Sequence, residues 1–334
     1  MPTKRATTMQ QVADEAGVSK MSVSAVLSGN SEHVRVSEAT RERILQVASR
    51  LRYRPNAVAR SLRKRRTNII GLYSGWAYLD ARNLFEAEII GGIQEGCDQH
   101  RMDLLLHGVF RGRSVDDIYT QLVDGRIDGL IIVAPPEDPL VHMLAESHLP
   151  VVAITDAIPT LPSVVVDDDG GAEMLLEFLA ERGHQHVLYR GWDRRAISVM
   201  RRHTAFLRVA ERLDLETSEW IAGESSDPRD ASLLAWLTLP DGKRPTAVCC
   251  WNDMAAFDLL AHCRTHGVRV PEDLAITGFD GVPTIGVARR LTTIRAGWPS
   301  VARSAVHLLV DRLDGRDVPR ETVLPVQLVQ GDTA

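Results

Sequence analysis

From residue 68 onward, the chain alternates short apolar runs with longer amphipathic segments. The strand-like runs lie at residues 69–72, 103–107, 129–133, 150–155, 186–189, 247–250 and 274–277. The helix-like segments lie around residues 84–100, 115–123, 139–147, 170–182, 199–213, 252–266 and 299–312. Apolar runs without polar alternation suit strands that are covered on both faces, as in a parallel sheet with crossover helices. So many units require two sheets, and we predict an α/β body of two parallel-sheet subdomains.

The segment around residue 167 is where we expect the chain to cross from one subdomain to the other. An apolar run at 164–166 leads through Asp167 directly into Gly170-Gly171-Ala172. Asp167, Asp168 and Asp169 could be interpreted as a catalytic carboxylate cluster of a sugar-processing enzyme. Aspartate at a strand-to-helix junction more simply caps the helix. We therefore predict no catalytic residues and no enzyme activity.

The residues that follow the predicted strands suit a sugar site. Ligands of open α/β sheets bind beyond the carboxyl ends of the strands. Three of the six tryptophans, Trp76, Trp192 and Trp251, stand at such ends, and Asn252 and Asp280 stand beside them. Aromatic faces stack on the apolar faces of sugars, and planar polar groups pair with hydroxyls. A single tryptophan in such a place is more often a packing residue, whereas three at equivalent ends predict a pocket.

The first 54 residues carry three helix signals. Thr8 and Gln11 form a capping box, and the helix that they open stops at Gly17. Ser19 is the N-cap of a second helix and Ser37 that of a third. Two short helices about a glycine turn, followed by a bracing third, are typical of a helix-turn-helix module. A three-helix bundle that does not bind DNA would show the same pattern.

Charge favours the DNA-binding interpretation. Residues 1–66 hold 14 of the 39 Lys and Arg residues and 5 of the 44 Asp and Glu residues, so their net charge is +9. The remaining residues hold 25 Lys and Arg and 39 Asp and Glu, so their net charge is −14. A basic head on an acidic body indicates a nucleic-acid-binding module attached to a larger domain that does not touch the polyanion.

Residues 53–66 connect the head to the body. Pro55 stands where a first helical position tolerates proline, and residues 56–62 favour a helix that is too short to be stable alone. The segment carries five cationic side chains, namely Arg60, Arg63, Lys64, Arg65 and Arg66. A polyanion would order such a segment, and a solvated basic linker is the alternative.

In a helix-turn-helix module, the exposed start of the second helix enters the major groove. The side chains placed to meet DNA are those of Lys20, Met21, Ser22, Ser24 and Ala25. Lys20 can donate to guanine or phosphate, the serines to phosphate or base edges, and Met21 and Ala25 can pack on thymine methyl groups. This helix carries no arginine, so it offers no bidentate guanine contact.

Residues 7–63 resemble the bacterial lactose-repressor/galactose-repressor (LacI/GalR) family of transcription regulators. The motifs that carry the resemblance are Val12-Ala13-Asp14-Glu15-Ala16-Gly17-Val18-Ser19, Val23-Ser24 and Tyr53-Arg54-Pro55-Asn56-Ala57-Val58-Ala59-Arg60-Ser61-Leu62. The resemblance implies that residues 55–63 form a hinge helix, which lies beside its twin in the minor groove of operator DNA. It makes Leu62 the wedge between base pairs, and Ala59 the residue that lets the hinges approach. The DNA-contacting set that we predict is Thr8, Ser19, Lys20, Met21, Ser22, Ser24, Ala25, Asn56, Ala59, Leu62 and Arg63.

The body resembles the same family, whose bodies are similar to periplasmic sugar-binding proteins. The motifs include Asp128-Gly129-Leu130-Ile131-Ile132, Gly183-His184, Asn252-Asp253-Met254-Ala255, Gly278-Phe279-Asp280 and Leu291-Thr292-Thr293-Ile294. Ser198, Arg202, Asn252 and Asp280 match family positions that contact an effector in the cleft. Together with the strand-end tryptophans, the predicted effector set is Trp76, Trp192, Ser198, Arg202, Trp251, Asn252 and Asp280.

Two departures from the family concern the ligand. The loop between Leu72 and Asn83 is longer than usual and carries Trp76, and Ser225 stands where an aromatic residue is common. Stacking is therefore expected to have moved to the other side of the cleft. A bulkier glycoside or an oligosaccharide is the hypothesis that follows.

We therefore predict a helix-turn-helix domain at 1–54, a hinge helix and linker at 55–67, and an effector-binding and dimerisation body at 68–334 with two interleaved subdomains. The expected function is that of a sequence-specific DNA-binding repressor. It would bind palindromic operator DNA as a homodimer, because no leucine-heptad tail for a tetramer follows residue 329, and a carbohydrate would control it. The alternative is a solute-binding transport receptor with the same body.

The remaining expectations concern location and cofactors. The four cysteines show no metal-ligand spacing, so we expect free buried thiols, no metal and no cofactor. No export signal and no membrane-length apolar run are recognised, and we expect a bacterial cytoplasmic protein without membrane contact.

Overall fold

The computed structural model describes residues 7–28, 36–56, 61, 66–75, 82–108, 113–192, 196–222, 244–283 and 290–334. The chain forms two compact units, Met1–Thr67 and Asn68–Ala334. The described helices of the first unit are α1 (Met9–Ala16), α2 (Lys20–Ser28) and α3 (Glu38–Arg50).

Local capping sets the ends of the first helix. Thr8 Oγ1 accepts the backbone N–H of Gln11 at 3.3 Å, and Gln11 Oε1 accepts the backbone N–H of Thr8 at 2.8 Å. Gly17 ends α1 with φ 63°, a conformation that costs glycine little. The core of the head consists of Val12, Ala13, Ala16, Val23, Val26, Ile44, Val47 and Ala48. The predicted helical head is confirmed.

The second unit alternates strands and helices. Its described strands are β1 (Ile69–Ser74), β2 (Asp103–Leu106), β3 (Gly129–Val133), β4 (Val151–Ile154), β5 (Ser163–Val166), β6 (His186–Trp192), β7 (Glu216–Ala222), β8 (Ala247–Cys250), β9 (Ala275–Asp280), β10 (Thr292–Ala296), β11 (Glu321–Leu324) and β12 (Val326–Val329). Its described helices are α4 (Leu84–His100), α5 (Val115–Leu122), α6 (Pro139–Ala145), α7 (Asp168–Glu181), α8 (Ile197–Arg212), α9 (Asp253–Thr265) and α10 (Trp298–Leu313).

The strands form two six-stranded sheets. The first has the order β11-β5-β4-β3-β1-β2 and the second the order β12-β10-β9-β8-β6-β7. Every neighbouring pair is parallel except β10 and β12. The predicted pair of parallel-sheet subdomains is confirmed.

Among the described strands, the chain passes between the sheets three times. The first passage follows β5 and enters α7 at Asp168, as the sequence predicted. The second leaves β10, runs through α10 and returns to the first sheet at β11, and the third joins β11 to β12. The strand candidates did not include β7, β10, β11 or β12. Strands β7, β11 and β12 lie at sheet edges, and β11 and β12 have exposed residues, so they lack the continuous apolar run that marks a central strand. Strand β10 is central, but its threonines and Arg295 interrupt the apolar pattern.

Close packing of α4 against α10 builds the core of the first subdomain. Val301, Ala302 and Val306 of α10 are fully buried in the cluster that also contains Ile89 and Ile93 of α4. Gly92 lies so near Pro299 that an added Cβ would overlap the backbone of that proline. Two helices approach this closely only where a side chain is missing.

All four cysteines are buried free thiols, as predicted. Among the described residues, no helix is long and apolar enough to cross a membrane.

Two neighbouring glycines provide a matched test of this packing. Gly92→Ala should destabilise the body by about 1–3 kcal/mol, because the methyl group overlaps α10. Gly91→Ala should be neutral or stabilise it by about 0.5–1 kcal/mol, because an added Cβ there meets open space and alanine favours a helix. All six tryptophans lie in residues 68–334, so urea unfolding followed by tryptophan fluorescence reports on the body. Equal stability of the two variants would contradict the close approach.

Candidate functional site

The start of α2 is exposed in the described head. Ser19, Lys20 and Met21 are exposed, and Met21 is 69% exposed. Ser19 Oγ accepts the backbone N–H of Ser22 at 3.1 Å, and the two hydroxyls lie 3.0 Å apart. This turn therefore presents one cationic and one apolar side chain, on a helix start whose own N–H groups are capped by serine.

The other predicted DNA contacts have different positions. Thr8 and Asn56 are exposed, and Ser24 is half-buried. Ala25 is only 8% exposed, which differs from the expectation that it packs on a thymine methyl group. Its side chain is one methyl group, so packing of larger neighbours within the head covers it. Ala59, Leu62 and Arg63 lie outside the described residues.

A cavity of about 850 Å³ lies at the carboxyl ends of strands from both sheets of the body. Six of the seven predicted effector residues line it, namely Trp192, Ser198, Arg202, Trp251, Asn252 and Asp280. Trp76 lies outside the described residues. Two residues from the first sheet also line the cavity: Ser74 is the last residue of β1, and Thr155 directly follows β4. Of the six predicted residues, Trp192, Trp251, Asn252 and Asp280 end or follow strands, whereas Ser198 and Arg202 lie on α8.

Arg202 of α8 is buried at this cavity and held on several sides. Its Nε donates to Asp168 Oδ1 at 2.8 Å, and its Nη1 donates to the backbone oxygen of Trp251 at 2.8 Å. The same Nη1 lies 3.6 Å from Asp280 Oδ1, and the guanidinium carbon lies 3.7 Å from the centre of the Phe279 ring. Burial raises the pKa of both carboxyls, and the positive charge of Arg202 opposes that rise. Two carboxylates facing one guanidinium leave hydrogen-bond acceptors for a ligand.

The backbone at Asp280 is in a conformation that side chains rarely adopt. Its φ is 120°, and Gly281 follows with φ 65°. Asp253 supports the segment, since its Oδ1 accepts the hydroxyl of Thr293 at 2.5 Å and its Oδ2 accepts the N–H of Val282 at 2.9 Å. Burial raises the pKa of Asp253 to about 7. Strained residues held by their surroundings are common at ligand sites, so the geometry favours a positioning role for this turn.

Helix α8 is bonded to the first sheet across the cavity. The backbone N–H of Ser198 donates to Asp156 Oδ1 at 2.7 Å, and Asp156 follows β4. The N-cap residue of α8, Ala196, has no side-chain cap of its own, so Asp156 satisfies the helix start from the other subdomain. Arg201 adds an ion pair with Glu321 of β11 at 2.8 Å. Burial raises the pKa of Asp156 to about 6, and the Ser198 N–H works against that rise.

Two aromatic pairs line the cavity. Trp192 and Trp251 are partly buried and stack with their ring centres 5.3 Å apart and a 17° tilt. Their strands β6 and β8 are adjacent and parallel, which brings the two strand ends together. Phe85 and Trp298 meet edge to face at 4.9 Å and 82°. The second pair belongs to the core of the first subdomain, so each subdomain contributes one pair.

The sequence did not identify Phe85, Trp298 or Asp156 as effector-site residues. Trp298 stands just beyond β10, so the strand-end rule would have found it had β10 been recognised. Phe85 lies in the first turn of α4, where no sequence signal marks a ligand wall. Asp156 directly follows the predicted strand at residues 150–155, but its bond to α8 depends on tertiary packing.

Two parts of the chain match family models. Residues 8–56 match the bacterial regulatory proteins of the lacI family, and residues 176–334 match a periplasmic binding protein-like domain. The chain is also similar to proteins described as the HTH-type transcriptional repressor PurR. It is 26% identical to that of Vibrio cholerae serotype O1, over 98% of this chain and 97% of that protein. It is 29% identical to that of Mannheimia succiniciproducens, over 95% of each.

Solved structures share the fold over nearly the whole chain. The lac repressor bound to ONPG in the repressed state superposes with a TM-score of 0.80 at 25% identity, over 99% of this chain and 100% of that chain. The lac repressor dimer bound to operator and the anti-inducer ONPF gives 0.81 at 24% identity, over 98% and 99%. The complex of the transcriptional regulator CelR with cellobiose gives 0.69 at 24% identity, over 98% and 100%.

The Asp156 carboxyl generates a prediction about pH. Its pKa of about 6 lies above the ordinary 3.8, so the folded protein holds this proton more tightly than the unfolded chain. The tighter binding of this proton contributes fully to the free energy of unfolding below about pH 4, and the contribution is lost as the pH rises through 6. Asp156→Asn keeps an oxygen for the Ser198 N–H and removes the charge. The variant should gain roughly 2–3 kcal/mol relative to the unsubstituted protein between pH 4 and 7.

Urea unfolding at a series of pH values measures this difference. Asp258→Asn, at an exposed position on α9, controls for the loss of one surface carboxylate. If the free energy of unfolding changed with pH in the same way in Asp156→Asn and in the unsubstituted protein, the raised pKa of the buried Asp156 carboxyl would be contradicted.

The exposed Met21 side chain generates a prediction about base readout. If it packs on a thymine methyl group, replacing that one thymine by uracil in a bound operator should weaken binding about fourfold, the value of one buried methyl group. In Met21→Ala the same replacement should have no effect. Fluorescence anisotropy at constant salt, with each thymine replaced in turn, makes the comparison. An unchanged uracil penalty in Met21→Ala would exclude this contact.

Proposed function

This chain belongs to the lacI family of bacterial regulatory proteins, and we propose that it is a repressor that binds palindromic operator DNA as a homodimer under the control of a carbohydrate effector. The observation that carries the proposal is the cavity at the strand ends, where six predicted effector residues meet in a body attached to a helix-turn-helix head. The family consists of transcription regulators rather than enzymes, which confirms the expectation that the chain is not an enzyme. A transport receptor would share the body but not the lacI-type head.

Several observations support DNA binding by the head. Residues 1–66 carry +9, and the start of α2 exposes Lys20 and Met21. The basic side chains between residues 60 and 66 supply non-specific attraction to the phosphates of DNA. The similar lac repressor structure is that of a dimer on operator, and this supports a dimer here. The hinge helix over residues 55–63, with Ala59 and the Leu62 wedge, is part of the same proposal.

The chemistry of the cavity supports a carbohydrate. Asp280, Asn252 and Arg202 offer planar acceptors and donors in one place, as sugar hydroxyls require. The stacked Trp192 and Trp251 offer an aromatic face beside them. The similar regulator CelR was solved in complex with cellobiose. A sugar or glycoside is therefore the effector class that we propose.

Control would act through the contacts that join the two subdomains. A ligand between the sheets contacts Asp280 and Trp251 of one subdomain and the wall of the other. It would therefore favour one separation of the two sheets, which the bond from Ser198 to Asp156 already links. In a dimer, this change would alter whether the hinge helices can pair on DNA, and so whether both heads bind.

Selection of bound genomic fragments, repeated with candidate sugars, would identify the operator and the effector together. The full-length protein should enrich fragments that contain a palindrome, and one group of sugars should change the enrichment. Absence of palindromic sites at low salt would overturn the proposed DNA binding.

Asp280→Asn separates the two functions. Asparagine tolerates the positive φ at this position, so the fold should persist. Loss of the charged acceptor should weaken the effector about tenfold or more, while operator affinity without effector stays within about twofold. Calorimetry and operator anisotropy measure the two quantities, with Asp258→Asn as the surface control. An unaltered response to effector in Asp280→Asn would remove this residue from the site.

A further inference from the structure

The amino-terminal edge of the first sheet holds Asn68, the residue at which the linker joins the body. Resting on the proposed DNA-binding function, we propose that Asp128 is a positioning residue for operator binding. It acts through Asn68 and makes no contact with DNA itself. By fixing the conformation of this junction, it reduces the freedom that the chain loses when the protein binds its operator.

Both backbone polar groups of Asn68 are bonded to neighbouring strands. Its N–H donates to Asp128 Oδ2 at 2.8 Å, and its carbonyl oxygen accepts the N–H of Asp103 at 2.8 Å. Asp103 is the first residue of β2, and Asp128 directly precedes β3. Because β1 lies between these two strands in the sheet, the residue that precedes β1 is bonded on both sides.

Asp128 is itself held in place. Its backbone N–H donates to the carbonyl oxygen of Ile69 at 2.8 Å, and the next residue, Gly129, pairs with Ile70 in the parallel ladder. The Asp128 side chain is half-buried. A carboxylate makes a shorter and stronger hydrogen bond with a backbone N–H than a neutral acceptor does. The sheet therefore presents a fixed and strong acceptor to the junction.

The backbone of Asn68 is in the left-handed region, with φ 56°. Asparagine visits this region more often than most residues, but only as one of several accessible conformations. Asn68 is exposed, so hydrogen bonds rather than packing select this conformation. If the bond from Asp128 were lost, the Asn68 N–H would turn to water and the backbone at the junction would rotate more freely.

One strand connects this junction to the cavity. Strand β1 begins directly after Asn68 and ends at Ser74, which lines the cavity. Its 6 residues span about 20 Å at the rise of an extended strand. A displacement of the first sheet therefore reaches the junction through a paired strand, without an intervening loop. With Asn68 held, the displacement passes to the linker, whereas rotation at a free Asn68 would absorb it.

Fixing the junction also favours operator binding when no effector is present. Backbone order that the free protein already has is not lost again on binding, which is the usual advantage of preorganisation. A homodimer contains two junctions, so a substitution at Asp128 acts twice in one complex with DNA.

Three variants of the full-length protein test this role. Asp128→Ala removes the acceptor, whereas Asp128→Asn removes the same charge and keeps an oxygen for the Asn68 N–H. Asp103→Ala removes a carboxylate from the same edge of the sheet and keeps the backbone N–H that bonds to Asn68. Fluorescence anisotropy at constant salt measures the affinity of each variant for two duplexes. One is the palindrome recovered by genomic selection, and the other is a scrambled duplex of the same composition.

Asp128→Ala should bind the palindrome about tenfold less tightly than the unsubstituted protein, and the scrambled duplex within about twofold. Asp128→Asn and Asp103→Ala should stay within about threefold on both duplexes. The two Asp128 variants have the same charge, so repulsion from DNA cannot explain a difference between them. Hydrogen exchange measured by mass spectrometry should be faster at the Asn68 amide in Asp128→Ala than in the other proteins.

Urea unfolding followed by tryptophan fluorescence separates this role from a loss of folded protein. Asp128→Ala should remain folded under the conditions of the DNA assay. If it does not, Asn68→Gly provides the test, because it keeps both backbone hydrogen bonds and adds conformational freedom at the junction. Asn68→Gly should weaken binding of the palindrome about threefold and leave binding of the scrambled duplex unchanged.

The outcomes separate this inference from the proposed function. Unchanged palindrome affinity in a folded junction variant, equal weakening in Asp128→Ala and Asp128→Asn, or equal weakening on both duplexes would overturn the positioning role. Each of these results would leave a DNA-binding regulator in place. Failure of the unsubstituted protein to select any palindrome would overturn the proposed operator binding, and this inference with it.

Discussion

The burial of one positive charge organises the cavity. A guanidinium taken out of water is tolerated only when its partners are already in place. Arg202 finds them on three other elements, with Asp168 at the start of α7, the backbone at the end of β8, and Asp280 at the end of β9. These contacts fix the relative positions of the elements that form the floor of the site. Under the proposed function, the Asp280 carboxyl beside this guanidinium is an acceptor for a ligand hydroxyl.

The same region is where the two subdomains are joined. The described strands show three passages of the chain between the sheets, and α8 adds bonds to the first sheet through Asp156 and through Glu321. Under the proposed function, a ligand in the cavity would act on these connections between the subdomains. Because the start of α8 is capped by the opposite subdomain, a change in the separation of the sheets alters the satisfaction of a buried helix end. A small shift of one sheet against the other would therefore cost the free energy of the hydrogen bond between the Ser198 N–H and Asp156.

Both subdomains line the cavity with polar and apolar side chains. The second subdomain supplies Arg202, Asn252, Asp280 and the stacked indoles of Trp192 and Trp251, and the first supplies Glu86, Thr155 and the Phe85 ring that packs on Trp298. In the head, the exposed start of α2 presents Lys20 and Met21 and no arginine.

The sequence by itself determined the class of each part of the molecule. Capping residues at Thr8, Gly17 and Ser19 defined the head, because caps act over a few residues. Continuous apolar runs defined most of the central strands, and the residues after them predicted Trp192, Trp251, Asn252 and Asp280 of the cavity, because parallel strands end at one edge. The family resemblance implied Ser198 and Arg202. Tertiary structure alone decided the rest. Edge strands such as β11 carry no apolar run, the single methyl group of Ala25 is buried by packing that no pattern encodes, and the contacts of Phe85 with Trp298 and of Asp156 with Ser198 join residues far apart in the chain. Local signals report on neighbours along the backbone, and these contacts exist only once the two sheets have been brought together.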